Sequence, residues 1–173
     1  MNLRSFSFTL FLLILTLASL VSANYIPHKK RSNPRRFINK FLIPQNIARV
    51  AVGQRPLVWD DKLMHYAQWY ANQRRNDCAL EHSNGPYGEN IFWGSGFGWK
   101  PAQAVSAWVD EKQYYNYGQN SCVDGEMCGH YTQIVWGSTT KVGCASVVCS
   151  DNKGTFMTCN YDPPGNYYGE KPY

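Results

Sequence analysis

The stretch GHYTQIVWGSTTKVGCASVVCSDNKGTFMTCNYDPPGNY, residues 129–167, decides the fold. Three runs in it, Thr132–Gly137, Lys141–Ser150 and Thr155–Tyr161, are rich in β-branched and aromatic residues. That composition suits a pleated, half-buried surface. Ser138-Thr139-Thr140 separates the first two runs, and Asp151-Asn152-Lys153-Gly154 is a turn signal between the last two. Connections this short join antiparallel neighbours, so the expectation is a meander of three strands.

Upstream the period changes from two to that of a helix. Leu63, Tyr66, Ala67, Tyr70 and Ala71 recur on one stripe, while Lys62, Gln68 and Arg75 face water. Asp60 or Asp61 caps this helix, which fades near Asn76-Asp77. Pro44 opens a shorter helix through Ala51. A glycine-rich loop runs from His82 to Gly98, with a short strand at Glu89–Trp93. Pro101 begins another helix with Ala104, Ala107, Trp108 and Glu111 on one stripe. An ionised carboxylate is costly to bury without partners. Glu111 therefore either escapes at the helix end or meets a cation, a metal or a histidine. Residues 118–129 form a second loop carrying two cysteines. Helices first and strands later give an α+β layered domain.

The first 23 residues read as a secretory signal peptide. Arg4 supplies the positive end, Phe6 to Leu17 is apolar, and Val21-Ser22-Ala23 places small residues before a cut after Ala23. The apolar run is short for a membrane span. All six cysteines, Cys78, Cys122, Cys128, Cys144, Cys149 and Cys159, follow it. An even count in an exported chain indicates three disulfides, among about 15 conceivable pairings. The expected location is secreted and extracellular. The net charge of +5 is unevenly spread. Six basic residues and no acidic one lie between Lys29 and Lys40, whereas residues 41–173 hold ten basic and twelve acidic. Residues 24–40 are thus a basic N-terminal arm, flexible over 24–36, suited to pathogen membranes or cell-wall polyanions. Lys29-Lys30-Arg31 also reads as a propeptide cleavage site. Nucleic acid is a poor partner for an exported chain.

Two segments carry a family resemblance. Gly129-His130-Tyr131-Thr132-Gln133-Ile134-Val135-Trp136 and Phe156-Met157-Thr158-Cys159-Asn160-Tyr161-Asp162-Pro163-Pro164-Gly165-Asn166-Tyr167 resemble the two signatures of the CAP superfamily (the SCP domain), in the right order. Arg55-Pro56-Leu57-Val58-Trp59 and Tyr87-Gly88-Glu89-Asn90-Ile91 resemble further landmarks. The similarity is to the plant pathogenesis-related class 1 proteins, from about Phe41 to Tyr173. It implies a CAP domain over residues 41–162 and a three-layer α-β-α sandwich with a central antiparallel sheet. It also implies the bridges Cys78–Cys149, Cys122–Cys128 and Cys144–Cys159, and a cleft tetrad of His82, Glu89, Glu111 and His130. Imidazole and carboxylate can take zinc, and carboxylate suits magnesium; a hydrogen-bonded cluster without metal is the other reading, so no cofactor is required. His28 and His65 lie outside the tetrad. One departure stands out: Gln45-Asn46-Ile47-Ala48-Arg49 occupies the place where the family usually has His-Asn before the Arg.

The resemblance further implies a monomeric defence protein, not an enzyme, that binds sterols or related lipids and is antimicrobial. Tyr114, Tyr115 and Tyr117 mark the lipid-binding loop, since aromatic rings offer apolar area with a polar tip. The tail, residues 163–173, resembles a signalling peptide released between Asp162 and Pro163, and its Pro, Gly and Asn content suits an extended, accessible segment. The alternative is a metal-dependent hydrolase using the tetrad. The chain has no H-E-x-x-H and no nucleophile elbow; Ser83 beside His82 is the single tempting nucleophile.

Overall fold

A computed structural model describes residues 34–173. The signal peptide, Ala23, His28 and most of the basic arm lie outside them. The elements are α1 (Pro34–Val50), β1 (Val58–Trp59), α2 (Asp61–Gln73), β2 (Gly88–Ser95), α3 (Pro101–Asp110), a 3-10 turn (Glu111–Tyr114), β3 (Tyr115–Asn116), β4 (Ser121–Cys122), α4 (Gly129–Ile134), β5 (Lys141–Val148), a second 3-10 turn (Ser150–Asn152) and β6 (Gly154–Asp162).

The main sheet has the order β1-β5-β6-β2. β6 is its centre, with Cys159 opposite Cys144 of β5 and Asn90 of β2, both antiparallel. β1 adds a parallel edge, pairing Val58 with Lys141, so the sheet is mixed. Period-two alternation serves two cores. Met157, Cys159 and Tyr161, with Val142 and Cys144, face Phe41, Ala48, Ala104, Val105, Trp108, Tyr131 and Ile134 from α1, α3 and α4. Phe156, Ala145 and Val147 face Ala67, Tyr70 and Ala71 of α2. This is the expected α-β-α sandwich, and the three disulfides are the pairs the resemblance implies.

α2 follows its periodicity. Leu63, Ala67, Tyr70 and Ala71 are buried, and Asp60 accepts a hydrogen bond from Leu63 N at 3.1 Å. Gly143 of β5 explains how α2 lies so close: a Cβ there would collide with the backbone of Asp60, Leu63 and Met64.

Four local expectations are corrected. α1 begins at Pro34, so residues 34–40 are helical and Pro44 is interior. The buried face of α3 runs through Ala104, Val105 and Trp108, with Ala107 exposed. The strand expected at Thr132–Gly137 is largely the helix α4 followed by a turn. Its N-terminal amides, His130 N and Tyr131 N, are accepted by the Glu111 carboxylate at 2.9 and 3.4 Å. Its C-terminal carbonyls are met by Arg49, which donates to Ile134 O at 2.8 Å and Trp136 O at 2.7 Å. An anion at the start and a cation at the end satisfy the orphan groups of so short a helix and complement its dipole. Finally, the tail does not extend freely. Pro172 is buried, and Gly137 N donates to its carbonyl at 2.6 Å.

Candidate functional site

The tetrad assembles as two His–Glu pairs. His82, in the loop before β2, places Nδ1 2.9 Å from Glu89 Oε1. His130, on α4, places Nδ1 2.6 Å from Glu111 Oε1. Each carboxylate accepts elsewhere too. Glu89 takes Ser83 N at 2.9 Å and Asn160 Nδ2 at 3.2 Å, and Glu111 takes the α4 amides described above. A carboxylate accepts, so each imidazole donates from Nδ1, and in the neutral ring Nε2 is the acceptor. His82, Glu89 and His130 line one cavity of about 380 Å³ with Asn90, Met127 and Asn166. Glu111 stands behind His130, and the Trp108 ring stacks beside that histidine at 6.1 Å.

A hydrogen-bonded chain ties the cleft to the core. Asn90 Nδ2 donates to His130 O at 3.0 Å and to Tyr161 Oη at 3.2 Å. Tyr161 donates to Gln45 Oε1 at 2.7 Å, and Gln45 donates to Phe41 O at 3.1 Å. Gln45, where the family usually has histidine, is therefore a fully buried core group and not a cleft ligand. Sequence reasoning missed this chain; the polar Gln45 between Phe41 and Ala48 on a helix was the available signal.

The donor set tests the expected metals. Among the described residues, no group of three or more His, Cys, Asp or Glu is placed to hold a metal ion. Magnesium prefers oxygen ligands, yet Glu89 and Glu111 are engaged as hydrogen-bond acceptors. What remains for zinc is one Nε2 from each histidine, with both glutamates as orienting partners.

The first pair titrates in a definite direction. The hydrogen bond to Glu89 raises the His82 pKa above its ordinary 6.5, against the pull of burial. Burial pushes Glu89 up, but the hydrogen bonds from His82, Ser83 and Asn160 outweigh it and hold the carboxyl below 4.5. The His82 contribution to stability is present below pH 6.5 and is lost as pH rises through its raised value. The Glu89 contribution is present above pH 4.5 and is lost as pH falls through its lowered value. Stabilisation by the pair is therefore greatest between those limits. Proton NMR of the imidazole is expected to place His82 above 6.5, and Glu89→Gln to bring it down; an unchanged midpoint in that variant would contradict the pairing.

Ser83 Oγ accepts from Tyr66 Oη and Gly85 N, each at 3.3 Å. The Ser83 side chain is also hydrogen-bonded to the Glu89 carboxylate and helps to lower its pKa. His65 is exposed on α2, away from the cleft.

The tyrosine loop is a second centre. Tyr114 ends the 3-10 turn, and Tyr115 and Tyr117 lie at the β3–β4 hairpin, whose second strand Cys122–Cys128 ties to the start of α4. Tyr115 is 6.2 Å from Tyr131 and 6.4 Å from Tyr117, ring to ring. Burial raises the pKa of both Tyr115 and Tyr131, keeping them neutral.

Asp162 and Pro163 lie at the end of β6. Asp162 O accepts from Thr140 N at 3.1 Å, and Pro163 O from Thr139 Oγ1 at 2.8 Å. No helix among the described residues is long and apolar enough to cross a membrane.

Comparison with known proteins gives the family and the fold. Residues 42–161 match the family model of CAP, the cysteine-rich secretory protein family. The chain is 84% identical to pathogenesis-related protein PR-1 of Medicago truncatula over 173 residues, the whole of both chains. It is 55% identical to pathogenesis-related protein 1A of Nicotiana tabacum over 133 residues, 77% of this chain and 79% of the other. Among solved structures it is similar to NaASP2 with Zn2+, with a TM-score of 0.65 and 26% identity over 85% of this chain and 88% of that one. MpPR-1i gives a TM-score of 0.57 and 27% identity, covering 80% and 95%. Na-ASP-1 gives 0.67 and 28%, covering 78% of this chain and 40% of that longer one.

Proposed function

This chain belongs to the CAP cysteine-rich secretory protein family, among the plant pathogenesis-related class 1 proteins with their defence role, and on that premise we propose that it acts outside the cell by binding a sterol-like lipid rather than by catalysis. The observation that carries the reading is the cluster of Tyr115, Tyr117 and Tyr131 where the β3–β4 hairpin is tied to the start of α4 by Cys122–Cys128. Phenol side chains on the hairpin and on α4 present flat apolar faces with hydroxyls at their edges, the chemistry a sterol matches. Sequestering such lipids is the antimicrobial action proposed.

The tetrad, in this reading, organises the cleft. Glu89 and Glu111 fix their histidines, and Glu111 also holds the start of α4. A related structure is described with Zn2+; zinc here would be held by His82 and His130 and supply a Lewis acid, and no step of lipid binding passes through it. Hydrolysis is disfavoured because both tetrad carboxylates are engaged as hydrogen-bond acceptors that orient their histidines. The basic residues of the arm and of α1, with Ile43, Ile47 and Val50 exposed on the same helix, suit an anionic membrane as the place where lipid is met. Release of residues 163–173 as an elicitor is a second proposed role; it requires local opening, because both sides of the Asp162–Pro163 bond are hydrogen-bonded to Thr139 and Thr140.

Saturable binding of a labelled sterol to residues 24–173, weakened at least about tenfold by the combined Tyr114→Ala, Tyr115→Ala and Tyr117→Ala change, is the expected result. Undiminished binding in the folded triple variant would move the site elsewhere.

A further inference from the structure

We infer that the lipid site is larger than the hairpin, being the groove between the β3–β4 hairpin and α4, and that the C-terminal tail is its resident occupant, which the lipid must displace. The inference rests on the lipid reading above. The tail is pinned at its start, where Gly165 N donates to Gln133 Oε1 at 3.0 Å and Asn166 Nδ2 to Gly129 O at 2.8 Å. Residues 166–171 then arch outward, exposed. The chain returns at Pro172, which is buried, and Tyr173, which is half-buried and packs on the main core.

The occupant touches the groups assigned to lipid. The Tyr173 ring stacks on Tyr117 at 4.9 Å and 19°, and its hydroxyl lies 3.5 Å from that of Tyr131. Lys171 Nζ also sits 4.2 Å from the centroid of the Tyr117 ring, a cation over an aromatic face. A flat apolar ring carrying one hydroxyl thus already occupies the place, which is the chemical description of the end of a sterol.

Volume makes the two occupants exclusive. Beneath the arch lies a cavity of about 240 Å³, lined by Tyr115, the Cys122–Cys128 bridge, Thr132, Trp136 and Tyr167. Sites that engulf a drug-sized ligand run to roughly 300–1,000 Å³. Lifting Pro172 and Tyr173 joins this cavity to the freed faces of Tyr117 and Tyr131. The lift breaks Gly137 N to Pro172 O, Asn120 Nδ2 to Glu170 O, and Tyr117 Oη to Tyr173 O. It leaves the Gly165 and Asn166 anchors in place. An apparent affinity is reduced by the fraction of molecules in the open form, so the docked tail weakens lipid binding and its removal strengthens it.

The test measures a fluorescent sterol and a neutral apolar dye on three forms: residues 24–173, the chain lacking Glu170–Tyr173, and Pro172→Asp, each checked for a native circular dichroism spectrum. Both altered forms are expected to bind both probes at least about tenfold more tightly than the intact chain. A synthetic peptide of residues 163–173 is expected to compete. Equal affinities across the three forms, or binding to none of them, would overturn the inference. A gain for the dye alone would uphold the groove and its occupant while removing the lipid reading. Equal sterol binding by all three would keep the lipid reading and remove the tail's role.

Discussion

Replacing Arg49 with leucine is expected to cost about 3–5 kcal/mol of stability, because four carbonyls lose a charged donor and an unsatisfied buried acceptor costs roughly 1–3 kcal/mol. Arg49 is 1% exposed. Its guanidinium donates to Arg55 O, Ile134 O, Trp136 O and Thr139 O at 2.7–2.9 Å, with no carboxylate among these partners. Burial lowers its pKa to about 10, which still leaves it charged at neutral pH. Leucine fills part of the space but abandons four carbonyls, three of them gathered at the end of α4 and the turn beyond it. Lysine keeps the charge without the planar fork, so Arg49→Lys should recover part of the loss. Urea unfolding with the disulfides intact measures both. A loss below about 1 kcal/mol for leucine, the scale of a single ordinary hydrogen bond, would mean that α4 does not depend on this clamp.

The second large effect is expected from the bridge that closes the longest loop. Cys78–Cys149 spans 71 residues and joins the segment after α2 to the end of β5. Chain-entropy reasoning assigns such a loop about 4 kcal/mol, against about 2 kcal/mol for a loop of the Cys122–Cys128 size. That smaller bridge spans 6 residues but ties the tyrosine hairpin to α4. Stability and binding should therefore separate. Paired serine substitutions at Cys78 and Cys149 should lower the melting temperature most while leaving lipid affinity in the folded protein intact. The same change at Cys122 and Cys128 should cost less stability but weaken lipid affinity in the folded protein. Parallel losses of stability and affinity in both variants would contradict the assignment of the hairpin as a binding element.

Legibility followed the range of the interactions. α2 was readable because its apolar stripe and its Asp60 cap are local, and β5 and β6 because their turn is short. α4 was misread because the groups that satisfy it come from afar: Glu111 lies 19 residues from His130, and Arg49 lies 85 from Ile134. A six-residue helix of Tyr, Thr, Gln and Ile has little intrinsic helical preference, so nothing local distinguished it from a strand. The tetrad residues share no short metal motif; the family resemblance named them, while the use of Nδ1 by both histidines emerges only from the folded geometry. The tail shows the opposite limit of composition. Its Pro, Gly and Asn content reads as an exposed segment, yet Gly165 lies so close to the Trp136 ring that a Cβ would strike it, and Pro172 is buried.

These long-range ties also give the functional reading its mechanical basis. Glu111 and Arg49 hold α4 at its two ends. α4 in turn presents His130 to the cleft and Tyr131 toward the hairpin tyrosines. The cleft and the aromatic groove are thus built on one short element, although they offer different chemistry: imidazoles on one side and phenols on the other.

The central claim is where an apolar ligand binds, and titration of isotope-labelled protein, residues 24–173, with a soluble sterol, followed by amide chemical shifts, tests it most directly. The account expects saturable shifts concentrated at Tyr115–Val123, at Tyr131 and along Tyr167–Tyr173, with the amides of Ser83 and Glu89 unmoved. Shifts confined to the tetrad cleft, or none at sterol concentrations that saturate an ordinary lipid carrier, would contradict it.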